Sequence, residues 1–245
     1  MWIDAHTHLD LYGDDLESAL DEIRQNQILC ISNSVDLDSY RRNLEIAQRC
    51  EWAFPIFGVH PWMAAAFVGR LEELKPAIAQ SPMLGEIGLD YSFAKDASER
   101  AAQRTVFEFF LQAAQEQDKV VHLHTIGAER EVLELLERYA IRRALVHGYS
   151  GPLNLVSGYV QNGFLFTVSP EVFCSEHIQA IARARAHGAT AHRDRQSGRP
   201  QGVLGQARYA QSSPGGCANP GRDKGNNTGS HSGVNAHQSE TTNPS

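Results

Sequence analysis

Asp4-Ala5-His6-Thr7-His8-Leu9-Asp10 is the stretch on which the reading of this chain turns. It continues from the mostly apolar start Met1-Trp2-Ile3, so His6 and His8 fall on a β-strand or at its end. Residues two apart on a strand project to the same face, which sets these imidazoles side by side. Each neutral ring offers one nitrogen lone pair, and two rings aimed at one point can grip a divalent metal. A lone His-x-His is common, so the case depends on whether later strands end in further ligands.

Strand-like and helix-like segments alternate from residue 1 to about 181. Ile28–Ser32 is apolar on both faces, as in a buried parallel strand. Phe54–Val59, Met83–Gly88, Val120–His124, Arg143–His147 and Phe164–Ser169 give the remaining strands. Between them, helical stripes are expected over Asp14–Gln25, Ser39–Cys50, Leu71–Gln80 (kinked or started near Pro76), Ala97–Gln117, Ala128–Tyr139 and Leu153–Gln161, with another helix beginning at Glu176–Ala182. Seven βα repeats point to a parallel α/β fold, a (β/α)8 TIM-type barrel with seven recognisable strands. A doubly wound sheet is the alternative. His6, His8, His60, Glu86, His124 and His147 all lie at or just past C-terminal strand ends, where a barrel gathers its active site. Their coincidence on one rim is read as a site for two divalent metal ions.

Composition narrows the function. The 245 residues carry 22 Lys/Arg and 29 Asp/Glu, a net charge of −7, and 42% hydrophobic residues. Residues 1–181 hold 26 acids and 14 Lys/Arg, a net of −12; the remainder holds 3 and 8, a net of +5. An acidic body argues against broad electrostatic affinity for nucleic acid, though bound cations supply positive charge locally. No apolar run reaches membrane-spanning length, and Cys30, Cys50, Cys174 and Cys217 lack disulfide-framework or metal-type spacing. The expectation is a reduced, cytoplasmic protein with no membrane and no obligate protein partner.

The ordered motifs resemble the TatD family of metal-dependent hydrolases. The resemblance runs from Asp4–Asp10 through Gly58-Val59-His60-Pro61, Gly85-Glu86-Ile87-Gly88-Leu89-Asp90-Tyr91, Leu123-His124-Thr125 and His147-Gly148-Tyr149-Ser150-Gly151 to Gly163-Phe164. It implies a nuclease of amidohydrolase-type barrel fold that hydrolyses phosphodiester bonds, often as a 3′→5′ exonuclease on single-stranded DNA or 3′ ends, with Mg2+, Mn2+ or Zn2+. It further implies that His6, His8, Glu86, His124 and His147 are metal ligands, with Glu86 the catalytic bridge between two cations. His60 and Asp90 are candidates for orienting substrate or supporting a ligand, and Tyr149 for stacking on a base or packing. The family pattern continues past Ser/Thr with Arg, whereas Ile126 follows Thr125 here. A small-molecule amidohydrolase or lactonase on the same barrel, and a non-catalytic remnant, are the competing functions.

The family's eighth strand, ending in Glu-Thr-Asp-x-Pro, is missing from this sequence. Half of the 20 glycines lie in residues 182–245, with one aromatic, Tyr209, and three large aliphatics, Val203, Leu204 and Val234. Such a composition predicts a disordered tail. Ala191–Pro200 can be encoded so that the +1 frame reads Leu-Thr-Glu-Thr-Asp-Asn-Pro-Gly-Gly-Pro, so a frameshift near residues 181–186 is expected. The domain reading is therefore a barrel over 1–181 and an out-of-frame tail over 182–245.

Overall fold

The computed structural model describes residues 2–191. Seven strands alternate with helices: β1 (Trp2–Thr7), α1 (Leu16–Asn26), β2 (Ile28–Asn33), α2 (Leu37–Arg49), β3 (Ala53–Ile56), α3 (Lys75–Gln80) and β4 (Met83–Asp90). There follow α4 (Ala97–Glu116), β5 (Val120–Ile126), α5 (Glu129–Arg138), β6 (Ala144–Val146), α6 (Leu153–Gln161), β7 (Leu165–Phe166) and α7 (Glu176–Ala191). Every strand pairing is parallel, in the order β1-β2-β3 and β4-β5-β6-β7. A parallel bridge from Phe57 to Leu84 joins the two sheets. Among the described residues no strand lies between β7 and β1. The seven parallel strands match the α/β barrel expectation.

The helices start where the sequence offers a cap. Asp36 accepts the Ser39 amide proton at 2.8 Å ahead of α2, and Asp96 accepts those of Ser98 and Glu99 at 2.8 and 2.9 Å ahead of α4. Each cap satisfies amides that a helix start leaves open and is worth about 1 kcal/mol. α4 buries Phe107, Phe110, Leu111 and Ala114 against β4 and β5, along with Phe57, Leu84 and Leu123. A second apolar cluster, Leu9, Leu20, Ile23, Cys30, Ile46, Cys50 and Ala53, packs α1 and α2 against β2 and β3. These two clusters hold the strand ends in place.

The segment Leu71–Gln80 breaks near Pro76 as expected, with a 3-10 turn over Leu71–Leu74 followed by α3. Two other expectations change. The seventh strand, expected over Phe164–Ser169, pairs only at Leu165 and Phe166; lacking a described neighbour on its other side, Leu165 remains 49% exposed. The tail was expected to begin at 182, yet α7 runs on to Ala191. Alanines at 182, 184, 186, 189 and 191 favour helix at those positions. The remainder of the expected tail, 192–245, lies outside the described residues. Cys30 and Cys50 are buried free thiols.

Candidate metal centre

Glu86 organises the site. It lies within β4, is 1% exposed, and is flanked by glycines that the chain cannot replace cheaply. A Cβ on Gly85 would collide with the Cβ of His122. Gly88 holds a φ of +149°, and a Cβ there would fall on the His124 carbonyl oxygen. Both glycines let β4 approach β5 closely enough to bring Glu86 and His124 together.

The two carboxylate oxygens face different imidazoles. Oε2 lies 3.2 Å from His8 Nε2 and 3.6 Å from His6 Nε2. Oε1 lies 2.8 Å from His124 Nδ1 and 3.7 Å from His60 Nε2. The ligand-type atoms of His6, His8 and Glu86 form one tight group, and those of His60, Glu86 and His124 a second. Nitrogen and carboxylate donors in two groups, one partly buried and one buried, that share one glutamate suit a pair of divalent cations.

The opposite ring nitrogens show how each histidine is held. His8 Nδ1 donates to the Asn33 carbonyl oxygen at 3.0 Å, which turns Nε2 toward Glu86. His124 Nε2 faces Asp90 Oδ2 at 3.2 Å, a carboxylate–histidine support that turns Nδ1 inward. His6 Nδ1 lies 3.2 Å from Nε2 of the fully buried His122. His60 differs, because its Nδ1 accepts the Trp62 amide proton at 3.3 Å. The ring proton then sits on Nε2, so His60 donates toward Glu86 rather than offering a lone pair.

Protonation follows the same geometry. Burial opposes charge on Glu86, but hydrogen bonds from His124 and His8 outweigh it and hold the carboxyl well below its usual range. Burial likewise opposes imidazolium at His8 and His124, yet Glu86 raises both above the ordinary 6.5. Burial pushes His6 well below 6.5, and takes His60 down to about 4 and His122 to about 3.

His6, His8, Glu86 and His124 thus meet as the sequence suggested, and His60 joins them. Asp90 supports His124 and is itself fixed by amide protons from Ser92 and Phe93, each at 3.0 Å. His147 stands beside them: its ring stacks on His6 at 3.4 Å between centroids, 9° from parallel, and it is not among the two ligand-type groups. Tyr149 is buried with its hydroxyl donating to the Pro152 carbonyl oxygen, so it packs. The place of His122 behind His6 is not marked by spacing, and its Nδ1 has no partner. The alternation of Val120-Val121-His122-Leu123-His124 puts two histidines on one strand face and says no more. Sequence reading missed Asn33 altogether, for a backbone carbonyl leaves no trace in residue type.

A parallel α/β barrel with histidines and a shared carboxylate at its strand ends defines a metal-dependent hydrolase. The description "TatD related DNase" matches residues 3–189, and the chain belongs to that family. It is similar to the human protein named Deoxyribonuclease TATDN3, 23% identical over 198 residues that span 74% of this chain and 72% of the relative. An uncharacterized metal-dependent hydrolase of Methanocaldococcus jannaschii is 24% identical over 189 residues, 75% and 73% of the two chains. Among solved structures, the TatD homologue YjjV of Escherichia coli superposes with a TM-score of 0.63 at 25% identity, covering 74% of each chain.

Proposed function

We propose that this protein hydrolyses phosphodiester bonds of DNA with two divalent cations, Mg2+, Mn2+ or Zn2+, bridged by Glu86. The observation that carries the reading is the division of the Glu86 carboxylate, with Oε2 toward His6 and His8 and Oε1 toward His124. Bound there, the cations supply Lewis acidity to the phosphate and lower the pKa of an attacking water. The chain's own part is preorganisation. Asn33 and Asp90 fix which nitrogen of His8 and His124 points inward, and His60 presents an N–H donor at the rim of the site. A carboxylate bridge, where amide-hydrolysing relatives commonly use a modified lysine, favours the phosphodiesterase branch over an amidohydrolase or lactonase. The names of relatives support DNA as the substrate class.

The test sets single-stranded DNA against cyclic amides and lactones, each with Mg2+, Mn2+ and Zn2+. Nucleotides are expected to be released from 3′ ends. Turnover of a lactone or cyclic amide with DNA untouched would overturn the reading.

A further inference from the structure

Two large aromatic side chains stand exposed beside this centre, although no ligand set requires them. Trp62, in the loop after β3, is 54% exposed, and Phe93, in the loop after β4, is 50% exposed. Their ring centroids lie 5.6 Å apart at 34°. Both hang from one carboxylate: Trp62 Nε1 donates to Asp90 Oδ2 at 2.8 Å, and the Phe93 amide donates to Oδ1 at 3.0 Å. That same Oδ2 faces His124 Nε2. The indole lies 4.4 Å from the His60 ring and 6.3 Å from that of His124. Since the indole N–H is already bonded, what Trp62 offers to solvent is its π face.

We propose that Trp62 and Phe93 form a platform on which an unpaired nucleobase stacks while the adjoining phosphodiester occupies the metal centre. The inference rests on the phosphodiesterase reading and adds how the strand is held. Charge on the protein surface does not hold such a strand. With a net of −12 over residues 1–181, the body attracts a polyanion poorly, and the partly exposed residue after Thr125 is the uncharged Ile126. Affinity for a strand must then come from the cations and from uncharged contacts, and aromatic stacking tolerates any base. Asp90 ties the platform to His124, so a stacked base is held in register with the ligands. Tyr149 cannot serve, being buried.

The test uses the full chain with Mn2+ and two substrates of equal length and charge, single-stranded oligothymidylate and the same phosphodiester chain without bases. Wild type is expected to prefer oligothymidylate in kcat/KM, and Phe93→Leu to lose roughly 5- to 150-fold of that preference, mainly through KM. Trp62→Phe, which keeps a ring, should retain more of the preference than Trp62→Leu. Cleavage with an unchanged preference in Phe93→Leu and Trp62→Leu would overturn the platform and leave the nuclease reading intact. If wild type cleaves neither substrate, the nuclease reading fails; calorimetric titration of the uncleaved strands then decides the platform by the same variants. Concentration-dependent self-association lost in Phe93→Leu, with no preference for bases, would instead assign the patch to a second copy of the chain and overturn the proposal.

Discussion

His124 Nδ1 sits 2.8 Å from Glu86 Oε1, the shortest of the imidazole contacts to that carboxylate and the one that joins β5 to β4. Because Glu86 also reaches His8 through its other oxygen, one substitution should empty both metal positions. Glu86→Ala is expected to lose both ions by elemental analysis and all detectable hydrolysis. His6→Ala should lose the ion on its own side first. Retention of a full metal complement by Glu86→Ala would show that the carboxylate bridges nothing.

His60 and His6 both approach Glu86, yet their opposite ring nitrogens separate their roles. His60 accepts the Trp62 amide proton and so keeps its own proton on Nε2. His60→Ala is therefore expected to keep its metal and to lower kcat by about 100- to 1000-fold, the range for loss of a preorganised donor. Metal lost in parallel with activity would make His60 a ligand.

Much of this centre was legible in the sequence, and the gaps have a physical cause. Strand ends and the glycines around Glu86 placed His6, His8, Glu86 and His124, because period-two geometry and barrel topology fix where such side chains emerge. Whether a histidine ligates, supports or stacks depends on ring rotation, which spacing does not encode. Hence spacing does not report that the His147 ring lies stacked on His6 or that His122 stands within hydrogen-bond reach of it. The short β7 was illegible for a different reason: pairing needs a neighbour, and the apolar run Phe164-Leu165-Phe166 cannot report one.

His122 supplies a test of that inner contact. Its Nε2 lies 3.2 Å from His6 Nδ1 in a fully buried setting. His122→Phe keeps an aromatic ring in the core but removes the nitrogen. Metal affinity is expected to fall about 10- to 100-fold while the fold survives, as shown by an unchanged circular dichroism spectrum. Unchanged affinity would reduce His122 to packing.

Proton competition follows from the raised pKa values of His8 and His124, both of which start from 6.5. A histidine binds metal only when neutral, so each ion must displace protons these rings retain above 6.5. Metal affinity should therefore rise as the pH climbs past 6.5 toward the raised values, then level off. Titration calorimetry in buffers of different ionisation enthalpy reads the protons released. No release just above 6.5 would mean that neither ring is a ligand.

The final prediction concerns residues 182–245. β7 pairs with β6 and β1 with β2, and among the described residues neither has a neighbour on its other side. Unpaired parallel edges are uncommon in a barrel and invite association. The +1 frame across Ala191–Pro200 can spell Leu-Thr-Glu-Thr-Asp-Asn-Pro, a strand end carrying two more carboxylates. A chain with that frame restored is expected to melt at higher temperature, to stay monomeric at higher concentration and to bind metal more tightly than the chain as it stands. The nucleotide sequence over codons 178–205 gives the direct check: a +1 frame there that does not encode Glu-Thr-Asp ends the idea, whatever the melting temperatures show.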